Sequence, residues 1–275
     1  MAGARDLDQF DARRTYGTAA ADYDDASREY WRFLSERTVD RVRLRPGQRV
    51  LDVACGTGWS AVAAAHVVGT AGSVVAVDYA EPMLDITRQK VSELGLRNVE
   101  VMQADATQLN FDEASFDAVV CVLGIFFLED MAAAAAGFWR LLRPDGVLAI
   151  TVLGEHFFAP LLDEAWRPSM LLERPDLQIL LPWERTRDPE TLRAVLVDAG
   201  IPDPTVEQEH QPLALSEPED WWRIVKGSGL RRYVDEIGPQ AAQRVRDDNL
   251  RFIEERRIDK VTLSAIYATA RAPSL

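Results

Sequence analysis

The chain has 275 residues, 47% hydrophobic and 27% charged, which suits one large soluble domain with a full core. Its formal net charge of −13 argues against a nucleic-acid partner, since phosphate binding needs a basic face. Two cysteines and three histidines are too few for a dedicated zinc site, so no metal is expected, and the longest apolar run, Val119 to Leu128, is too short to span a bilayer. The opening MAGARDLDQF lacks the apolar core of a secretory signal, so a cytoplasmic protein with reduced thiols and no membrane partner is expected.

Residues 1–20 read as loose and polar. Tyr16 and Tyr23 precede a helix expected over Ser27–Leu44, with Tyr30, Trp31, Leu34, Thr38 and Val42 near one face. The two tyrosines can pack that helix or reach a ligand. A turn at Arg45-Pro46-Gly47-Gln48 leads into RVLDVACGTGWSA, Arg49 to Ala61, around which the chain is arranged. Val50 to Ala54 reads as a short buried strand, and Trp59 to Val68 as a helix. Between them Gly56 and Gly58 let the backbone turn sharply and bring N–H groups close to a ligand. Strand, glycine turn and helix N-terminus make a nucleotide-like binding corner of an α/β sheet. The run from Gly56 to Ala61 fits the dinucleotide fingerprint G-x-G-x-x-G/A, with Asp78 about 20 residues on. Asp52 tips the balance the other way. It sits inside the strand, where a nicotinamide-binding strand is normally apolar, and the competing reading for it is a loop-ordering acid.

Ser73 to Val77 is expected as the second strand. It ends in Asp78, whose two oxygens can accept two adjacent ribose hydroxyls. Pro82 and Gly95 frame the next helix, with Leu84, Val91 and Leu94 inward. Met83 can lie against an adenine face or simply fill core. Asn98 to Gln103 alternates as a third strand, ended by Ala104-Asp105-Ala106. There Asp105 can accept from an adenine amino group while the Ala106 N–H donates to the ring; alternatively Asp105 caps a turn. Phe116 to Leu123 is an apolar fourth strand, buried on both faces. A helix over Glu129–Leu142, a type I turn at Arg143-Pro144-Asp145-Gly146 and a fifth strand over Val147–Val152 follow.

The blocks VLDVACGTG, VVAVDYAEPML, VMQADATQLNF, SFDAVVCVLGIFFLED and FWRLLRPDGVLAI stand in the order and spacing of class I S-adenosylmethionine-dependent methyltransferases. Across residues 45–153 the chain resembles that family, in particular the ubiquinone/menaquinone C-methyltransferase branch and bacterial small-molecule methyltransferases. The resemblance implies a Rossmann-like seven-stranded sheet of order 3-2-1-4-5-7-6 with strand 7 antiparallel. It also implies S-adenosylmethionine (SAM) as cofactor, whose ammonium and sulfonium suit carboxylates. The positions that match its cofactor contacts are Tyr23, Asp52, Ala54, Gly56, Gly58, Asp78, Tyr79, Met83, Asp105, Ala106 and Leu123. Ala54 replaces the first glycine of the usual three, Ala80 a serine cap, and Asp145 a turn glycine. Phe126 and Phe127 replace polar residues of the quinone-methylating relatives, which speaks against a quinone acceptor.

Beyond the fifth strand, Asp188-Pro189-Glu190 caps a helix that Gly200 stops. Thr205–Leu215 and Lys260–Arg271 read as the sixth and seventh strands. Two insertions, 154–187 and 216–258, interrupt the family pattern, the second opening on a capping box at Ser216-Glu217-Pro218-Glu219. With a sheet of this order both insertions emerge at its ligand-binding edge. With residues 1–45 they are expected to form a helical substrate cap over the cofactor half, 46–153, while 188–215 and 259–275 complete the core. Phe126, Phe127, Phe157, Phe158, Trp166, Trp183, Trp221 and Trp222 gather in or beside that cap, which suits a small apolar or conjugated acceptor. His156, just past the fifth strand, is the candidate general base, helped by Glu155. His66 and His210 are expected on structural faces. The expected activity is methyl transfer to O, C or N of a small acceptor in secondary or isoprenoid-type metabolism, by a monomer or homodimer. The alternatives are a methyltransferase fold that binds SAM but catalyses a cyclisation or only binds ligand, and a nicotinamide-dependent oxidoreductase, against which Asp52 and Asp105 speak.

Overall fold

The computed structural model describes residues 28–274. Its centre is a seven-stranded sheet of order β3-β2-β1-β4-β5-β7-β6, as the resemblance implied. The strands are β1 (Arg49–Val53), β2 (Ser73–Asp78), β3 (Val99–Gln103), β4 (Phe116–Val122), β5 (Leu142–Leu153), β6 (Thr205–Ala214) and β7 (Lys260–Arg271). β1 pairs parallel with β2 and β4, placing Asp52 beside Ala76 and Val120. β7 runs antiparallel to both β5 and β6. The strand order reverses between β1 and β4, so the crevice for a ligand opens at the carboxyl ends of those strands.

Alternation along the strands divides the core between two faces. Val50, Val74, Ala118 and Val120 pack with the small residues Ala61, Ala64 and Ala65 of α2 (Trp59–Val68). Leu51, Val53, Val75 and Val119 face the other way, toward Phe138 of α4 (Met131–Arg140) and Leu192 and Leu196 of α6 (Pro189–Asp198). Helix α1 (Arg28–Val42) lies against the sheet. Its Thr38 hydroxyl is 2.7 Å from that of Thr151 on β5, both buried, and Arg37 and Arg41 both donate to Glu209 on β6.

The helices that lie beyond the sheet pack on one another. A π-helical turn (Leu162–Trp166) runs into α5 (Arg167–Glu173), and a 3-10 turn follows at Pro182–Thr186. The second insertion holds α7 (Glu219–Lys226), α8 (Arg231–Ile237) and α9 (Pro239–Arg256). A buried relay joins them: Trp221 Nε1 donates to Asn249 Oδ1, and Asn249 Nδ2 donates to Ser169 Oγ, each at 2.8 Å. Among the described residues no helix is long and apolar enough to cross a membrane.

Three local expectations are corrected. Leu94, expected inward, is 49% exposed, because α3 (Glu81–Glu93) ends before it and it lies in the turn toward Gly95. The expected capping box is shifted by one residue: Asp220, not Glu219, accepts from the N–H groups of Ser216 and Glu217, while Glu219 pairs with Arg246. The segment Arg143–Gly146 is not a type I turn. Asp145 takes φ +63°, where that turn needs a negative φ, and the segment forms an irregularity in the β4–β5 pairing. An aspartate tolerates this left-handed position better than most residues, which is why it can stand for glycine there.

Candidate active site

The glycine turn after β1 is built from unusual backbone and tied down on three sides. Ala54, Gly56 and Gly58 all have positive φ, +56°, +54° and +85°. A Cβ at Gly58 would lie 2.6 Å from Thr87 Cγ2, so only glycine fits there. Thr87 Oγ1 donates to the Gly56 carbonyl at 2.8 Å, and Lys90 Nζ donates to that of Thr57 at 2.8 Å. The third tie is Asp78, at the end of β2. Its Oδ2 accepts from Gly56 N at 2.9 Å and its Oδ1 from Ala80 N at 2.8 Å. Each oxygen keeps a further lone pair. Burial raises the pKa of Asp78, and the backbone N–H groups of Ala80, Gly56 and Tyr79 work against that rise.

A cavity of about 380 Å³ opens over this corner. One end is acidic and sits on the carboxyl ends of β1 to β4. It is lined by Ala54, Gly56, Asp78, Tyr79, Met83, Asp105, Ala106 and Leu123, so eight of the expected contact positions meet here. Asp105 also realises its blander reading, since Oδ1 accepts from the N–H and hydroxyl of Thr107. The other end is aromatic. Phe126 and Phe127 form one wall, Phe157, Phe158 and Trp183 another, and Trp31 of α1 a third. Ser35 and Ser228 also line this end, the Ser228 hydroxyl donating to the Val225 carbonyl at 3.2 Å.

The remaining expected positions are placed elsewhere. Asp52 is fully buried beneath the turn and is not among the lining residues: Ser60, in the first turn of α2, donates to its Oδ2 at 2.7 Å. Gly58 is the N-cap of α2 and likewise does not line the cavity. His156, the candidate general base, is exposed and does not line the cavity, so the structure does not bring it together with the other expected positions. Positive φ at His156 and Phe158, +64° and +62°, bends this loop, and the buried side chains that reach the cavity are those of Phe157 and Phe158. Glu155 is turned out as well and pairs with Arg187. Trp166 and Trp221 form the interior of the helical insertions and not the cavity wall. Trp222 lines a separate small cleft. Tyr16 and Tyr23 lie outside the described residues. Sequence reasoning missed Ser35, Ser228 and Trp31 as cavity-lining residues. Ser35 and Trp31 are four residues apart, one helical turn, and that spacing is the only signal that could have found them.

Residues 50–146 match the family model described as a methyltransferase domain. Nocamycin O-methyltransferase of Saccharothrix syringae is 32% identical over 247 residues, covering 82% of this chain and 86% of that protein. The chain belongs to the SAM-dependent methyltransferase family. A demethylmenaquinone methyltransferase of Listeria monocytogenes is 36% identical over 119 residues, 43% of this chain and 49% of the relative. Among solved structures, the 4+2 cyclase SpnF shares the fold with a TM-score of 0.53 at 22% identity, covering 89% of this chain and 81% of that one. The cofactor of this methyltransferase is SAM. Its residues fit that group. Among the described residues the charged side chains lining the cavity are the carboxylates Asp78 and Asp105, as a cationic ligand requires. Below the turn, Asp52 Oδ1 is buried without a hydrogen-bond partner, an acidic group whose ionised form a cation bound nearby would favour.

Proposed function

We propose that this methyltransferase methylates an oxygen of a small, planar, largely apolar acceptor. One observation carries the reading: a single cavity joins an acidic corner to an end walled by aromatic rings. In this reading the remaining lone pairs of Asp78 accept the ribose hydroxyls, Asp105 and the Ala106 N–H meet the adenine edge, and Met83 lies against its face. Gly56 lets the backbone approach the amino-acid part, with the negative charge of Asp52 beneath it. When bound, the sulfonium supplies an activated methyl group and its own leaving group. The acceptor enters as its oxyanion, its acidic proton already given up to solvent. The chain's residues then have to align and desolvate it, which the aromatic walls do by shape and by excluding water. Ser35 and Ser228 orient its polar edge. The choice of oxygen is supported by the name of the relative that covers most of the chain. We place the activity in the cytoplasm and in secondary metabolism, by a monomer or homodimer.

The test uses methyl-labelled SAM and a panel of conjugated hydroxy compounds and acids, read by mass spectrometry. The expected product carries one added methyl on oxygen; label appearing only in small charged acceptors overturns the reading. The cyclisation alternative predicts a product of unchanged mass and no S-adenosylhomocysteine, so the same experiment separates it. For the cofactor end, Asp78→Ala is expected to weaken SAM binding by at least about tenfold in calorimetry, since two charge-assisted hydrogen bonds are lost. Unchanged affinity would remove Asp78 from the proposed set.

A further inference from the structure

Trp183 forms one aromatic wall of the cavity and Phe126, Phe127 and Leu128 another, yet the two come from segments far apart in the chain. The first wall sits on the 3-10 turn Pro182–Thr186, the second on and just after the 3-10 turn Ile125–Phe127. One side chain spans them. Arg185 Nη1 donates to the carbonyls of Phe126 at 3.1 Å and Leu128 at 2.7 Å, and its Nη2 donates to that of Glu129 at 2.8 Å.

We propose that Arg185 is a positioning residue that sets the spacing between these two aromatic walls, and through it the shape of acceptor the enzyme takes. This rests on the reading of the aromatic end as the acceptor site. The carbonyls it gathers lie where a short turn ends and the next helix has not begun, so they lack intrahelical donors. A planar guanidinium presents several N–H groups in a fixed fork and satisfies three oxygens at once, which the point-like ammonium of lysine does not reproduce. All three bonds go to main chain, so the residue contributes geometry in addition to the attraction of the nearby Glu129 carboxylate. The segment is otherwise secured: β4 precedes it, and Asp130 caps α4 by accepting from Ala133 N. Losing Arg185 therefore loosens residues 126–129 and the Trp183 turn without unseating either element. The acidic corner is held by other bonds, from Gly56 to Asp78, Thr87 to Gly56 and Lys90 to Thr57, and does not depend on Arg185.

The test compares wild type with Arg185→Ala and Arg185→Lys, using S-adenosylhomocysteine for the acidic end and Nile red, an uncharged planar fluorophore, for the aromatic end. Arg185→Ala is expected to weaken Nile red about tenfold while S-adenosylhomocysteine stays within about twofold. Amide exchange is expected to rise at residues 126–129 and 182–186 and to stay level at 56–58. Arg185→Lys should fall between the two. Nile red affinity unchanged in Arg185→Ala, or both ligands weakened in equal proportion, overturns the proposal. If Arg185→Ala does not fold, Arg185→Gln, two atoms shorter but still polar and with two amide donors, carries the same comparison. Wild type that fails to bind either ligand counts against the functional reading instead, and the exchange pattern then decides the clamp alone.

Discussion

Asp52 is the residue whose chemistry the tertiary structure changes most. It is 0% exposed, shares one oxygen with the Ser60 hydroxyl and leaves the other without a partner. Burial pushes its pKa up to about 7, the Ser60 hydrogen bond opposes that, and the negative charge of Asp78 adds to it. Its ordinary value is 3.8. Between those values the folded chain keeps a proton that the unfolded chain releases. The stability this group contributes is therefore complete below its ordinary value and is lost as pH rises toward about 7. Asp52→Asn, neutral throughout, removes that slope. The free variant is expected to gain on wild type between about pH 5 and 8, by on the order of 2–4 kcal/mol, read as the difference in Tm. A difference that stays flat over that range means the carboxyl is not held protonated.

At the scale of elements, the loops leaving β1 and β4 meet more closely than side chains normally allow. A Cβ on Gly124 would lie 2.5 Å from Ala54 Cβ and 3.0 Å from Cys121 Sγ. Gly124→Ala should therefore cost about 1–3 kcal/mol in urea denaturation. Ala54 itself occupies a left-handed conformation, so Ala54→Gly relieves backbone strain while adding chain entropy to the unfolded state. Its net effect is expected within about 1 kcal/mol. The double variant should recover part of the loss, since one of the two contacts disappears. Strict additivity of the two changes would show that the clash is absorbed at Cys121 instead.

At the scale of the whole molecule, α1 is joined to the far edge of the sheet by carboxylates of β6, Glu209 and, at 3.5 Å from Arg41, Glu207. Glu209 on β6 accepts from Arg37 and Arg41, and Arg41 lies over the Tyr267 ring at 3.8 Å. Burial works against the charge of Glu209, but the two guanidinium groups outweigh it and hold its pKa below the ordinary 4.5. That contribution is present above the ordinary value and is lost as pH falls through the lowered one. Glu209→Gln is expected to cost on the order of 1–2 kcal/mol at neutral pH, discounted because Arg37 is 38% exposed. The two proteins should converge in acid. Because α1 also carries Trp31 and Ser35 into the cavity, the same variant should weaken Nile red binding; an unchanged probe affinity would show that α1 holds its place by apolar packing.

What could be read in the chain itself was whatever short-range rules control. The apolar runs of β1, β2 and β4, the glycines between β1 and α2, and the acids at the strand ends were legible because pleat, turn and helix start each depend on a few neighbouring residues. The order of five such blocks carried the family, and the family carried the sheet order. The destinations of individual side chains were not legible in the same way. The pleat of β1 puts Asp52 on the face of Val50, toward α2. That Ser60 meets it there, and that it stays out of the cavity, was settled only by packing. His156 points to solvent because positive φ on either side of Phe157 bends the loop. Trp166 and Trp221 fill the helical insertions, whereas Trp183 reaches the cavity, although all lie in the same kind of sequence. The aromatic end draws on α1, the loops after β4 and β5, the 3-10 turn at 182–186 and the chain before α8. Which of their side chains meet depends on packing between segments about thirty to nearly two hundred residues apart, and no local pattern records that.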